Sequence, residues 1–389
     1  MSDGVRLTWP GKRPVIIPDP LPVLAPHGTG VQSSDNHLFC GDNLAVMAAL
    51  APELAGQFAL IYFDPPFFTG KEWRSRPNAP TTAAKLDPAA SLVPSPDPTP
   101  GRNSPGNEPD DGSRGQIQNS EYKIRNTAGF SDVWPGDIGG YLQWLLDRLT
   151  VARILLRDDG CIYLHLSWHA VHHAKLVMDE VFGADQFQNE VVWCYREAIN
   201  SKRRWNRKHD NLLFYSKTER FTFNCDAVRE PYSESTIGKF RSRDARGPYR
   251  LMGRGISGSP LRSKRDLPAE METRFPELTY RHYLGEGTLP VDYWLIDIEN
   301  QASSKRTGYP TQKPEALLER ILLASTNEGD LVGDFCCGSG TTLAVAERLK
   351  RRWVGCDANP DAAAVARARL VGNGAAFVEF RVHPSGDAE

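Results

Sequence analysis

An α/β fold built on a mostly parallel sheet is what this sequence predicts, and three observations predict it. Short apolar runs alternate with stretches of helical period along most of the chain. One such run, Phe58–Phe63, is stopped by the two prolines of Asp64-Pro65-Pro66-Phe67. Another, ending at Phe335, opens through Cys336-Cys337-Gly338-Ser339-Gly340 into the start of a helix at Thr341.

In chain order, residues 1–36 are Pro-rich with little periodicity and read as an arm lying on the core. The short segment His37–Asp42 leads into a helix over Asn43–Leu54 and then into Phe58–Phe63, a strand by its shortness and aromatic content. Residues 76–116 are rich in Pro, Ser, Gly, Asn and Asp, cannot build a core, and read as a mobile insertion. Tyr141–Leu156 predicts an amphipathic helix, Gly160–Leu166 a strand, Trp168–Phe182 a helix, and Glu190–Tyr195 and Asn211–Tyr215 two further strands. Residues 200–305 hold more turn residues and weaker periodicity, so they read as a separate, loop-rich module. Regular structure resumes with a helix over Glu315–Ser325, a strand over Leu331–Phe335, a helix over Thr341–Leu349 and a strand over Trp353–Asp357. The chain thus divides into an arm (1–36), one half of a core (37–199), an insert (200–305) and the other half (306–389).

At 389 residues the chain has room for a full core and a second module. No apolar run approaches the ~18 residues of a membrane span. The N-terminus has no apolar signal region, and the seven cysteines show no zinc-ligand spacing. A reduced cytoplasmic protein without metal is the expectation. His169 and His173 have the spacing of a metal pair on a helix, but no third ligand accompanies them and a packing cluster is the simpler reading. The net charge of −2 argues against a uniformly basic surface, yet Gly238–Arg265 holds nine Lys or Arg against one acid. DNA is therefore expected at Lys239, Arg241, Arg243 and Arg246. The run Lys202-Arg203-Arg204-Trp205-Asn206-Arg207-Lys208 mixes charge with an aromatic and reads as a solvated face or, favoured because it adjoins the basic module, as a second phosphate grip.

The C-terminal half carries a cofactor signature. Gly338 and Gly340 let a ligand approach the main chain, and Thr341 or Thr342 can cap the helix that follows. Asp357 falls about 20 residues past the turn at a strand tip, which suits the hydroxyls of an adenosine ribose. Leu343 stands where a dinucleotide fingerprint needs its third glycine, and Asp334 suits an ammonium better than a pyrophosphate. S-adenosylmethionine carries both an ammonium and a ribose, so it satisfies the two acids together.

The N-terminal half carries the chemistry. An exocyclic base amine is a poor nucleophile because its lone pair is delocalised into the ring. Asp64 and the carbonyl of Pro65 can accept its two N–H bonds and free that lone pair, while the prolines remove competing backbone donors. Phe67 can stack on the base, an interaction worth ~1–3 kcal/mol. A base inside a duplex cannot react, so it must be flipped out.

Together these motifs resemble the β-class of DNA amino-methyltransferases, including type III modification subunits and solitary relatives. Gly41-Asp42-Asn43-Leu44, the Asp64–Phe67 tetrapeptide, Tyr309-Pro310-Thr311-Gln312-Lys313-Pro314, and Asp334 through Thr342 carry the likeness to the class, and Asn189–Trp193 and His209–Lys217 that to type III subunits and solitary relatives; it spans about residues 37–75, 121–225 and 290–360. The resemblance implies a Rossmann-like S-adenosylmethionine-dependent fold, circularly permuted, with a seven-stranded sheet and a target recognition insert between its halves. It implies cofactor contacts at Asp334, Phe335, Gly338, Gly340 and Asp357, with Thr311, Gln312 and Lys313 near the methionine end. Cys336, Ser339 and Thr341 of the turn, and Asp42, are grouped with these. Catalysis falls to Asp64, Pro65, Pro66 and Phe67. The sequence departs from the class in having Phe67 where Tyr is commoner, in the Cys336-Cys337 pair, and in its long insertion.

The implied function is methylation of double-stranded DNA, with adenine N6 favoured by the initial Asp and cytosine N4 the alternative. Methylation of RNA or of a protein amide, and a non-catalytic DNA-binding relic, are the competing classes. The implied setting is the bacterial or archaeal nucleoid. Any restriction activity would belong to another chain, and a homodimer or a separately encoded restriction endonuclease remain open as protein partners.

Overall fold

The run Phe58–Phe63 is buried along its whole length and cannot continue past Asp64, because Pro65 and Pro66 offer no N–H to a neighbouring strand. It forms a central strand of the fold. The computed structural model describes residues 7–18, 23–26, 35–74, 129–132, 134, 138–196, 201–255, 258–260, 266–299 and 306–383; the expected insertion at 76–116 lies outside them.

The first half of the chain gives β1 (Val23–Pro26), β2 (His37–Cys40), α1 (Asn43–Leu54), β3 (Phe58–Phe63), β4 (Glu72–Arg74), β5 (Gly129–Ser131), α2 (Ile138–Leu155), β6 (Leu156–Leu166), α3 (Val171–Phe182), β7 (Phe187–Cys194) and β8 (His209–Ser216). There follow α4 (Glu234–Ile237), β9 (Ser242–Asp244), β10 (Gly247–Gly253), α5 (Glu270–Arg274), β11 (Thr279–Tyr283) and β12 (Tyr293–Leu295). The chain closes with α6 (Glu315–Ser325), β13 (Leu331–Asp334), α7 (Thr341–Arg348), β14 (Arg352–Asp357), α8 (Pro360–Gly372) and β15 (Val378–His383).

Among the described residues, ten strands form the main sheet in the order β1-β15-β2-β14-β13-β3-β6-β8-β7-β12. The expected seven are the run from β2 to β7; β15 and β1 extend one edge and β12 the other. Strands β15, β2, β14, β13, β3 and β6 are mutually parallel, and β8 runs antiparallel between β6 and β7. One apolar cluster joins α1, α2 and α3 to one face, and a second joins α6, α7 and α8 to the other. Along β3, Ile61 and Phe63 enter the first cluster while Leu60 and Tyr62 enter the second, the alternation that a strand buried on both faces requires.

Three expectations change. The 200–305 segment is not one spatial unit, since β8 lies inside the main sheet and β12 pairs with β7 at its edge. What stands apart is the stretch between them, which carries a three-stranded sheet, β11-β10-β9, rather than loops alone. His169 precedes α3, so it does not share a helical face with His173; it stacks on Trp168 and bonds Ser167 Oγ at 2.9 Å. The arm does pack on the core over residues 7–18, through Lys12–Glu180 and Arg13–Asp147 ion pairs, but it also supplies edge strand β1. No helix among the described residues is long and apolar enough to cross a membrane.

Candidate active site

The parallel strands converge on one cleft at their carboxyl ends, where ligands bind in open α/β sheets. β3 delivers Asp64 through Phe67, its neighbour β13 delivers Asp334 and the glycine turn, β14 delivers Asp357, and β2 leads to Asp42. The cleft has a volume of about 610 Å3, and every candidate catalytic and cofactor residue lines it except Gly340.

Gly340 acts behind the cleft. It is the N-cap of α7 in a left-handed conformation (φ 71°), and a Cβ there would stand 2.9 Å from the Cβ of Ala366 on α8. Neither threonine caps α7, contrary to expectation; the Thr341 hydroxyl instead lies 3.3 Å from the Lys313 carbonyl and accepts from Arg369. The missing third glycine is also explained. A Cβ on Gly355 of β14 would lie 2.3 Å from Leu343 Cδ1, so the close helix–strand approach is made by a glycine on the strand, with leucine on the helix.

The turn orders its own acids. Asp357 accepts from the N–H of Gly338 (2.8 Å) and of Asn359 (2.9 Å), and Asp334 accepts from Cys336 N–H (3.1 Å). Burial pushes the carboxyl of Asp334 up to about 7, the Thr342 hydroxyl and Cys336 N–H opposing it only in part. Burial also raises Asp357. Both thiols, Cys336 and Cys337, are raised by burial and stay protonated. The Phe335 ring is in the core beside Phe58, leaving its main chain to the cleft. Gln312 Oε1 accepts from the N–H and hydroxyl of Thr307, which fixes the Thr311–Lys313 segment against the opening. A buried carboxylate for an ammonium, an oriented one for ribose hydroxyls, and open main chain between them suit S-adenosylmethionine.

On the chemical side, Lys313 Nζ meets Asp64 Oδ2 at 2.5 Å and lies 5.1 Å from the centroid of the Phe67 ring. Asp64 Oδ1 is buried and accepts no hydrogen bond among the described residues. Tyr141 donates to the carbonyl of Pro66 (2.8 Å), not to that of Pro65.

Several residues of the site escaped sequence reasoning. His165 on β6 is fully buried between two acids, with Nδ1 3.7 Å from Asp64 and Nε2 3.6 Å from Asp210; it touches the Tyr62 hydroxyl at 2.6 Å and the Phe67 ring at 5.4 Å between centroids. Asp132 accepts from the N–H groups of Phe68 (2.9 Å) and Thr69 (2.8 Å), holding Phe68 at φ 58°, a left-handed conformation costly to a bulky residue. Arg148 joins Asp42 (2.5 Å) to Asn43 (2.5 Å), and Asn43 donates to the Phe335 carbonyl (2.9 Å), so the first motif braces the glycine turn. Asp42 is thereby engaged as N-cap of α1 and as an ion-pair partner while lining the cleft. A lone buried His or Asp leaves no periodic trace in sequence, and only the cleft identifies it.

The eight candidate DNA-contacting cations are exposed and fall into two groups. Lys202, Arg203, Arg204 and Arg207 are on the link between β7 and β8, whose ends wall the cleft at Trp193, Tyr195 and Asp210. Lys239, Arg241, Arg243 and Arg246 belong to the segment of the three-stranded sheet. That sheet is less bare than its sequence suggests, because Asp266 and Glu272 fold back onto Arg250 and Arg281.

Fold and cleft define the class, a Rossmann-like α/β chain whose proline-stopped acid and glycine-turn pocket share one opening. The chain belongs to the DNA methylase family, whose model matches residues 58–368. It is similar to the type II methyltransferase M.EcaI of Enterobacter cloacae, 30% identical over 251 residues that cover 56% of this chain and 54% of that one. It is similar over a longer stretch to the Mod subunit of the type III restriction-modification enzyme StyLTI of Salmonella typhimurium, 24% identical over 378 residues, 84% of this chain and 52% of that one. The DNA adenine methyltransferase YhdJ of Escherichia coli is 27% identical over 243 residues, 62% of this chain and 70% of that one. The chain thus spans about half the length of the first two relatives.

Proposed function

We propose that this chain transfers a methyl group from S-adenosylmethionine to the exocyclic amine of a base flipped out of double-stranded DNA. The observation that carries it is Asp64 Oδ1, a buried oxygen that accepts no hydrogen bond among the described residues, with His165 Nδ1 3.7 Å away, in a cleft shared with the glycine turn. Asp334 would hold the cofactor's ammonium and Asp357 its ribose, and the cofactor supplies an electrophilic sulfonium methyl. Asp64 Oδ1 and the Pro65 carbonyl accept the two N–H bonds of the target amine, so its lone pair leaves conjugation with the ring. Phe67 carries the base on its face, and Lys313 withdraws from that face to admit it. Methylation would break the sulfonium S–C bond and release the cofactor as a neutral thioether, and Asp64 would take the proton that the amine nitrogen sheds. Much of the rate comes from placing the nitrogen in line with the methyl.

Adenine N6 is the target we favour, from Asp64 at the head of the motif and from the likeness to YhdJ. The region between β8 and β12, with its exposed cations, would read the duplex. Labelled-methyl transfer to duplex DNA, RNA and protein tests the reading: Asp64→Ala should abolish transfer to DNA while cofactor still binds, and retained activity would refute the mechanism. Methylome sequencing of an expression host gives the base and the site.

A further inference from the structure

On the link between β7 and β8, whose flanking residues Tyr195 and Asp210 line the cleft, one side chain is unlike its surroundings. Trp205 is 94% exposed, the highest value for a large apolar side chain among the described residues. The segment that carries it is nonetheless held in place. Tyr195 N–H donates to the Lys208 carbonyl (3.0 Å), Ser201 N–H to Asn206 Oδ1 (3.0 Å), and the Arg207 guanidinium stacks 3.5 Å from the centroid of the Trp168 ring. The indole is therefore presented to solvent by an anchored turn, with exposed Lys202, Arg203 and Arg204 just before it.

The fold gains nothing from this arrangement, since a tryptophan in water forgoes the burial that its area offers. A nucleic acid would use both parts of it: cations take phosphates without regard to sequence, and a flat ring stacks on any base. Resting on the methyltransferase reading above, a second requirement appears. Extruding the target base opens a gap in the stack and strands its partner, and an inserted apolar side chain offsets that loss. Indole is the largest flat filler in the protein alphabet and has only two side-chain torsions to immobilise. The strands that bound the β7–β8 link also wall the cleft, so the segment that carries the indole is tied at both ends to the pocket proposed to receive the base.

We propose that Trp205 enters the duplex at the target step and fills the space that the flipped base vacates, while Lys202, Arg203 and Arg204 grip the adjoining phosphates. The test is single-turnover methyl transfer by the full chain to two duplexes carrying its site. In one the target base is normally paired; in the other it faces an abasic nucleotide, so that no partner base needs support. Trp205→Ala should slow transfer to the paired duplex roughly 5- to 150-fold, the range of one base–aromatic stack, and the abasic duplex should restore the wild-type rate. Trp205→Phe should keep most activity on both, and cofactor affinity and Tm should not move in either variant. Equal rates for Trp205→Ala and wild type on the paired duplex would overturn the proposal. So would an equal loss on both duplexes, which would make Trp205 a general DNA contact. A wild-type chain that methylates no DNA would instead remove the methyltransferase reading and the wedge with it.

Discussion

Lys313 Nζ stands 2.5 Å from Asp64 Oδ2 and 5.1 Å from the Phe67 ring centroid, so one ammonium covers both surfaces proposed to receive the target base. The pair joins the segment after β3 to the segment before α6 across 249 residues of sequence. Both side chains are about one-seventh exposed, so solvent screens the interaction only in part.

Removing either partner should leave the other charge in a poorly solvated place. Lys313→Met and Asp64→Asn should each lower unfolding free energy by roughly 1–2 kcal/mol, and the double variant should lose at least about 1 kcal/mol less than their sum. Denaturant unfolding of the four chains measures this coupling, and strictly additive losses would refute it.

If Asp334 holds the cofactor's ammonium as proposed, cofactor binding should depend on pH. Burial raises its carboxyl to about 7. Because the folded value lies above the unfolded one, its contribution to stability is complete below about pH 4 and is lost as pH rises through about 7. Asp357, raised by the same cause, adds in the same direction. A bound ammonium favours the ionised form, so affinity for S-adenosylmethionine should strengthen between about pH 6 and pH 8 with release of a proton. Calorimetry in two buffers of different ionisation enthalpy reads the proton, and Asp334→Asn should flatten this part of the profile.

Asp132 should matter to chemistry more than to cofactor binding. Its carboxylate holds Phe68 and Thr69, the residues that follow Asp64-Pro65-Pro66-Phe67. Without it the left-handed Phe68, a strain of roughly 1–3 kcal/mol, has little to maintain it. Asp132→Ala should lower kcat at least about tenfold by misplacing Phe67, with cofactor affinity nearly unchanged. A fall in cofactor affinity with kcat intact would show that the loop serves the other half of the cleft.

Charge reversal at Arg243 and Arg246 should weaken DNA binding and make its salt dependence shallower, by roughly one unit of slope for each phosphate no longer neutralised, with cofactor affinity unchanged. Filter binding over a salt series measures both. An unaltered affinity would place the DNA elsewhere.

Local rules accounted for much of the fold. The helices Asn43–Leu54 and Glu315–Ser325 and the strand Phe58–Phe63 match the sequence reading end for end, because a capping Asp42, a Pro before Glu315 and the prolines after Phe63 are local signals. Edge strands β1, β12 and β15 and the three-stranded sheet were not read, since short strands are stabilised by the neighbours they pair with rather than by their own composition. The same reason carried β8 out of the expected insert and into the main sheet.

For the site, the sequence by itself determined which residues could do chemistry: an acid, two prolines and an aromatic after one strand, and acids around a glycine turn after another. Those signals are covalent neighbours, and neighbours are legible. Only the tertiary structure decided that β3 and β13 lie side by side, which puts Asp64 and Asp334 in one cleft. It alone decided that His165, Asp132 and Arg148 support that cleft, and that Lys313 pairs with Asp64. Each of these joins distant parts of the chain through packing, and packing leaves no pattern in the order of the residues.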